Sequence, residues 1–275
     1  MTKPFEVLLA SDFTARSDRP LDRAARLAAE RKGKLVIAHI LEDTSKNASD
    51  QKDIIERLRA DLPEQAAGAE LVVRSGSAPT MLAAIAAERG SDLIVTGVAR
   101  YNSIGDFVLG TAVDHIIRNA RVPVLIVRRR PNHSYRRLLV TTDGSDCSRA
   151  SLLAAARLFP DIPITVAHAF HVPFEAWLNT DEVRQYMRTV AQRSLDVFLS
   201  HQDITSDIMK RIEALVDEGE LGNVVARQLS RTGADLLALG THGRSGLAHA
   251  TIGSQAEALL EAVDVDVLMT REFQG

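Results

Sequence analysis

Short apolar runs rich in Val, Ile and Leu alternate along this chain with longer stretches whose apolar residues recur at helical spacing. That alternation is the pattern of a parallel sheet covered by helices on both faces. In the first half it predicts strands near Glu6–Ala10, Leu35–Leu41, Glu70–Val73, Leu93–Thr96 and Val124–Val127, with helices at about Ser17–Lys32, Asp50–Leu62, Ala78–Arg89 and Val108–Asn119 between them. In the second half the same order predicts strands near Arg137–Thr141, Ile164–Ala169, Lys210–Ala214, Leu236–Leu239 and Val265–Met269. Within the first helix, Asp22–Glu30 places its apolar residues in one buried stripe, and Gly33 follows where a left-handed cap would end it.

The two halves are one unit written twice. Ser91–Gly97 (SDLIVTG) returns as Ala234–Gly240 (ADLLALG), and Val122–Arg128 (VPVLIVR) as Val265–Arg271 (VDVLMTR), both 143 residues on. Asp12 and Asp143 are only 131 apart, so the second copy carries about twelve extra residues, placed around Phe170–Asp181. The 275 residues suit about two domains, expected at 1–130 and 136–275. The fold class expected is α/β, as two tandem open parallel five-stranded sheets. Between the copies, Arg128–Arg137 holds five arginines and a proline and reads as a solvated linker; contact with a phosphate backbone is the other reading of such a run.

Composition narrows the classes. With 45% hydrophobic and 25% charged residues and a net charge of −3, the chain is globular and has no overall positive field to attract nucleic acid or an anionic membrane. Its one cysteine, Cys147, excludes an internal disulfide and a cysteine metal cluster, which suits a reducing compartment. Pro4 and Glu6 interrupt the stretch a signal peptide would need, and no 18-residue apolar run occurs. The expected location is the cytoplasm.

The richest segment for chemistry is Gly240–Ser254, GTHGRSGLAHATIGS, which leaves a strand and enters a helix beginning near Gln255. Free backbone N–H groups at such a junction converge on an anion, and glycine permits the close approach a Cβ would block. Thr241, His242, Gly243, Arg244, Gly253, Ser254 and Gln255 are the candidate contacts, with Ser254 able to cap the helix. An ordinary glycine-containing loop with a helix cap is the competing reading. Asp143-Gly144-Ser145 lies just beyond the first strand of the same copy. In open α/β sheets, ligands sit outside the carboxyl ends of strands where chain order reverses, which brings that turn to the glycine loop. Asp143 as a simple cap for a helix over Ser145–Leu158 stays open beside this.

At these residues the chain resembles a tandem universal stress protein, a Rossmann-like fold of the adenine-nucleotide alpha-hydrolase type. Gly240, Gly243, Gly253 and Ser254 match the family's signature of Gly, two residues, Gly, nine residues, Gly and Ser or Thr. The resemblance implies ATP as ligand, with Asp143 on the nucleotide and backbone atoms at Ala169 lining the adenine pocket. It also allows Mg held by Asp143 and Ser254, internal pairing of the two halves through their last strands, and a homodimer. The first half departs from the signature: Gly97 is followed at the second glycine position by Arg100, although Gly110-Thr111 is in register. Asp12 persists, but Phe13 follows it. One competent site and one degenerate site are therefore expected.

No Gly-x-x-x-x-Gly-Lys is present, and His242 alone stands near the loop as a base. The leading expectation is an ATP-binding, ligand-dependent regulator of the stress response. A slow ATPase or self-phosphorylating enzyme and a ligand-free scaffold are the alternatives. His39 and His168, each in an Ala-His pair ending a second strand, read as structural, and Cys147 as an inert small residue. Phe170, Phe174 and Trp177 read as a lid over the adenine side, as a contact surface, or as an anchor for the helix that comes next.

Overall fold

The computed structural model describes residues 3–41, 48–98, 101–103, 106–107, 111–172, 180–243 and 252–272, with backbone alone at 48–50, 101–103, 106–107 and 111–112. The chain divides into two compact units, Met1–Ser134 and Tyr135–Gly275.

The first unit runs β1 (Glu6–Ala10), α1 (Asp18–Glu30), β2 (Lys34–Leu41), α2 (Ala48–Ala60), β3 (Glu70–Ser75), α3 (Ala78–Arg89) and β4 (Leu93–Gly97). It continues through β5 (Tyr101–Ser103), β6 (Asp106–Phe107), α4 (Thr111–Asn119) and β7 (Val124–Val127). Its parallel strands are ordered β7-β4-β1-β2-β3. In the second unit β8 (Leu138–Thr141), α5 (Asp146–Leu158), β9 (Ile164–Phe170), α6 (Asp181–Leu199) and α7 (Ser206–Met209) come first. They lead into β10 (Ile212–Glu218), α8 (Leu221–Thr232), β11 (Leu236–Gly240), α9 (Ser254–Ala262) and β12 (Asp266–Thr270). There the order is β10-β9-β8-β11-β12, again parallel. Right-handed crossovers put the first two long helices of each unit on one face of its sheet and the last two on the other. This is the α/β architecture expected.

Strand composition matches position. Val7, Leu8 and Leu9 in β1 and Leu138, Leu139 and Val140 in β8 are fully buried, as central strands covered on both faces require. The edge strand β10 mixes charged with apolar residues and is largely half-buried, and it begins two residues later and ends four residues later than its pattern suggests, pairing Ile212 with Ile164. Before α4, where the pattern predicts no element, an antiparallel hairpin pairs Tyr101 with Phe107 and Ser103 with Asp106; residues 108–110, at the start of the expected helix, lie outside the described residues. The segment Arg128–Arg137 is largely exposed, with Pro131 and Tyr135 buried, and it is tied down by hydrogen bonds. Arg19 and Arg23 of α1 donate to the carbonyls of Arg128 (2.9 Å) and His133 (3.0 Å), and Arg136 N–H donates to Asp235 (3.0 Å). Among the described residues no helix is long and apolar enough to cross a membrane.

Phe170 anchors rather than covers: with Val172 and Ala191 it forms a buried cluster against Val183, Met187 and Val216, seating α6 on β9 and β10. Phe174 and Trp177 lie outside the described residues.

The end of α1 corrects one expectation. Lys32, not Gly33, takes the left-handed conformation (φ 48°), while Lys32 N–H and Gly33 N–H close the turn on Ala29 and Ala28. Gly33 is glycine for space, since a Cβ there would lie 2.3 Å from the Phe5 carbonyl oxygen. Gly33→Ala should therefore lower stability by about 1–3 kcal/mol, the usual cost of overpacking. A reduced urea midpoint with unchanged slope checks this.

Candidate functional site

In each unit, chain order reverses between the first and fourth of its long strands, so the loops after them open on one crevice. In the second unit those loops are Thr142–Ser145 after β8 and the segment leaving β11.

The first loop is fixed by its own hydrogen bonds. Thr142 N–H donates to the Ala167 carbonyl (3.0 Å), and Gly144 N–H donates to Thr142 Oγ1 (2.9 Å) with Gly144 at φ 79°. Ser145 caps α5 by accepting from Ser148 N–H (3.2 Å), and Ser148 Oγ meets Thr142 Oγ1 at 2.8 Å. The cap is thus Ser145 and not Asp143. Asp143 Oδ1 accepts from Ser145 N–H (3.0 Å), and its Oδ2 stands 2.6 Å from where a Cβ on Gly243 would be. The half-buried carboxylate is held against bare backbone.

His168 completes the support. Its Nδ1 lies 2.7 Å from the Thr142 carbonyl oxygen, and His39 repeats the contact on Ser11 at 3.0 Å. Both histidines tie the end of the second strand to the residue preceding the aspartate. The repeated Ala-His pair is the sequence signal for this positioning role. Ala169, next along β9, is half-buried beside Asp217 on β10.

The glycine loop divides its labour. Gly240 makes room for α5: a Cβ there would meet the Cys147 backbone at 2.9 Å and its Sγ at 3.0 Å. Cys147 is buried, and its role is packing. Thr241 pins the loop at both ends, its N–H donating to the Thr270 carbonyl (3.0 Å) and its carbonyl accepting from Gly253 N–H (2.8 Å). Its hydroxyl meets His242 Nδ1 at 2.9 Å, and His242 Nε2 is buried without a partner among the described residues. At the far end the cap of α9 is Gly253, which has no side chain to accept from the first turn; Ser254, expected as the cap, is the first helical residue. Ser254 and Gln255 are exposed. Among the described residues the first N–H groups of α9 thus have no side-chain cap, which favours an anion there. Arg244 lies outside the described residues.

The first unit builds the same corner differently. Asp12 Oδ1 accepts from Thr14 N–H (2.9 Å), Thr14 Oγ1 (2.8 Å) and Ser17 Oγ (2.7 Å). Burial pushes its carboxyl up, but these hydrogen bonds outweigh burial and hold it below its ordinary value. Phe13 adopts the left-handed turn at φ 55° where the second unit has Gly144, and its ring meets His39 edge-on at 5.4 Å. Gly97 faces Pro20 and the Arg16 carbonyl at ordinary contact distance. Beyond it comes the β5–β6 hairpin. Arg100 and Gly110 lie outside the described residues, and Thr111 begins α4.

A sequence model described as the Universal stress protein family matches residues 5–128 and again 134–271. The chain belongs to the universal stress protein family. Universal stress proteins Rv2005c of Mycobacterium tuberculosis and Mb2028c of Mycobacterium bovis are each 25% identical to it over 215 residues, 73% of this chain and 68% of theirs. Among solved structures, protein PA1789 of Pseudomonas aeruginosa, titled functionally unknown, superposes with a TM-score of 0.65 at 19% identity, covering 98% of this chain and 92% of that one. A universal stress protein from Archaeoglobus fulgidus gives 0.64 at 15% identity, covering 98% and 97%. These likenesses to solved structures concern the fold alone.

Proposed function

We propose that this universal stress protein binds an adenine nucleotide, ATP with Mg, in its second unit, and that the bound state regulates its action in the cytoplasmic stress response. The observation that carries the reading is the meeting of Asp143 with the bare backbone of Gly243, across the loop from a helix N-terminus with no side-chain cap. The carboxylate suits ribose hydroxyls or a cation, and it would repel phosphate. The start of α9 suits phosphate. One crevice thus offers two ends of opposite preference, as a nucleotide requires. Asp143 and Ser254 are oxygen donors of the kind Mg takes together with phosphate oxygens and water.

The asymmetry of the units supports one site per chain. Asp12 commits one oxygen to three local donors, and the hairpin after Gly97 pairs backbone groups that a phosphate loop would leave open.

The test is to denature freshly purified protein and quantify the nucleotide released. About one adenine nucleotide per chain is expected from the wild type and little from Asp143→Ala, because a hydrogen bond to a charged group contributes about 1.5–3 kcal/mol. Two per chain would overturn the degenerate reading of the first unit. None, with no uptake of added Mg·ATP, would overturn the function proposed.

A further inference from the structure

The arginines that close the first unit do not stand alone as a basic run. From Arg128 to Ser134 the chain follows the polar stripe of α1: Arg19 donates to the Arg128 carbonyl (2.9 Å) and Arg130 lies 3.7 Å from Asp22. Farther along, Arg23 donates to the His133 carbonyl (3.0 Å) and Ser134 Oγ donates to Glu30 (2.6 Å). Arg19, Asp22, Arg23, Arg26 and Glu30 recur at the spacing of one helical face. Helix and strap thus form one ridge about 20 Å long. Arg16, in the turn Ala15–Ser17 that leads into α1, extends it.

Charge on this ridge is one-sided. Residues 15–30 and 128–134 hold seven arginines and no lysine, against Asp18, Asp22 and Glu30. Counting also Glu64, whose neighbour Gln65 donates to Asp22 at 2.6 Å, still leaves an excess of three. Four carboxylates cannot neutralise seven guanidiniums. Arg16, Arg19, Arg129 and Arg130 are exposed, whereas Arg23 is buried and serves to hold the strap. The net charge of −3 hides this: Lys and Arg number 20 against 17 Asp and Glu in the first unit, and 13 against 19 in the second.

The make-up of the ridge selects its ligand. Arginine's planar fork matches phosphate oxygens, and a row of arginines matches a row of phosphates. Among the described residues the exposed large apolar side chains are Tyr186, Val190, Val197 and Met209, all in the second unit. The ridge therefore offers no apolar group to enter a bilayer and no exposed Phe, Tyr or Trp on which an unpaired base could stack. A duplex, with its bases already stacked and its phosphates outermost, asks for neither.

We infer that this ridge is a docking surface for the phosphate backbone of a nucleic-acid duplex, bound without regard to sequence. Arg16, Arg19, Arg129 and Arg130 would reach about three or four phosphates. The inference does not rest on nucleotide binding by the second unit.

The test is fluorescence anisotropy of a labelled, mixed-sequence DNA duplex of about 20 bp, titrated with the full chain without added nucleotide. A dissociation constant near about 10 µM is expected at about 50 mM salt, with log affinity falling against log salt at a slope of about −3. Arg16→Gln combined with Arg130→Gln should weaken binding about 10-fold and make that slope shallower by about 1–2. Both side chains are exposed, so the thermal midpoint should stay at the wild-type value and separate lost binding from lost folding. Arg193→Gln, at an exposed arginine of the second unit, should change neither affinity nor slope. Duplex RNA titrated in parallel tells which of the two polymers the ridge takes. Vesicles with about one third phosphatidylserine should bind the chain at least about 10-fold more weakly than the duplex. No saturation, a double variant that binds as the wild type does, an equal loss in Arg193→Gln, or vesicles bound as tightly as the duplex would each overturn the proposal.

Discussion

Replacing Gly243 by arginine should strip the second unit of its nucleotide while leaving the chain folded. An ideal Cβ at this position lies 2.6 Å from Asp143 Oδ2, closer than a Cβ can tolerate. The atom that must yield is the end of the Asp143 side chain, and moving it works against the bond of its other oxygen to Ser145 N–H at 3.0 Å. Either Asp143 leaves the crevice or the loop backbone withdraws from it, and both outcomes remove a ligand contact. An arginine adds a guanidinium that pairs with the displaced carboxylate and occupies the space a ribose would take. Losing one or two charge-assisted hydrogen bonds predicts weakening of ATP by about 100-fold or more. Gly243→Ala, with the Cβ but no cation, should cost about 10-fold, the lower end of one such bond. Gly243 is exposed and its neighbours in the core are untouched, so the thermal midpoint should move little. Calorimetric titration of Mg·ATP into the three proteins orders them, and equal affinity in all three would remove Asp143 and Gly243 from the site.

The corner where Asp143 meets Gly243 is legible in the sequence, because the order of apolar runs implies the reversal of strand order, and the reversal brings those loops together. Which glycine does what is not legible there. A glycine in sequence signals either positive φ or a close neighbour, and Gly240 and Gly33 answer to neighbours, Cys147 and the Phe5 carbonyl, that lie 93 and 28 residues away. The cap expected at Ser254 fails for a related reason: the hydrogen bond from Gly253 N–H to the Thr241 carbonyl sets where the helix begins, and only the closed loop shows it. The hairpin Tyr101–Phe107 leaves no period to read, since its strands are three and two residues long. His39 and His168 are visible as a repeat, but their contact with the carbonyl before each aspartate depends on how far the first two strands run in register. Periodic burial is written plainly in a sequence. One-residue geometry set by a distant backbone atom is not.

Arg89 is another residue whose role depends on distant partners, because the amino-terminal edge of the first sheet is held through its side chain. From the end of α3 it grips Glu6 on β1 through Nε and Nη2 at 3.1 Å each and Glu70 on β3 at 2.8 and 2.7 Å. Glu70 first, then Glu6, raises its already high pKa further. The side chain of Glu6 is only 6% exposed, and it also accepts from Ser91 Oγ at 2.8 Å. Removing Arg89 leaves a buried carboxylate without its cation, a change that costs about 3 kcal/mol or more when one partner of a buried pair is deleted. Arg89→Leu should therefore accelerate amide exchange in β1 and β3 by about 100-fold, while amides of β8 and β11 keep their protection. Glu6→Gln added to Arg89→Leu should recover much of the loss, since the amide removes the charge that needed compensation and keeps an acceptor for Ser91. If Arg89→Leu alone left exchange in β1 unchanged, the network would be surface decoration. Recovery in the double variant would instead show that the first unit tolerates Glu6 only because Arg89 neutralises it.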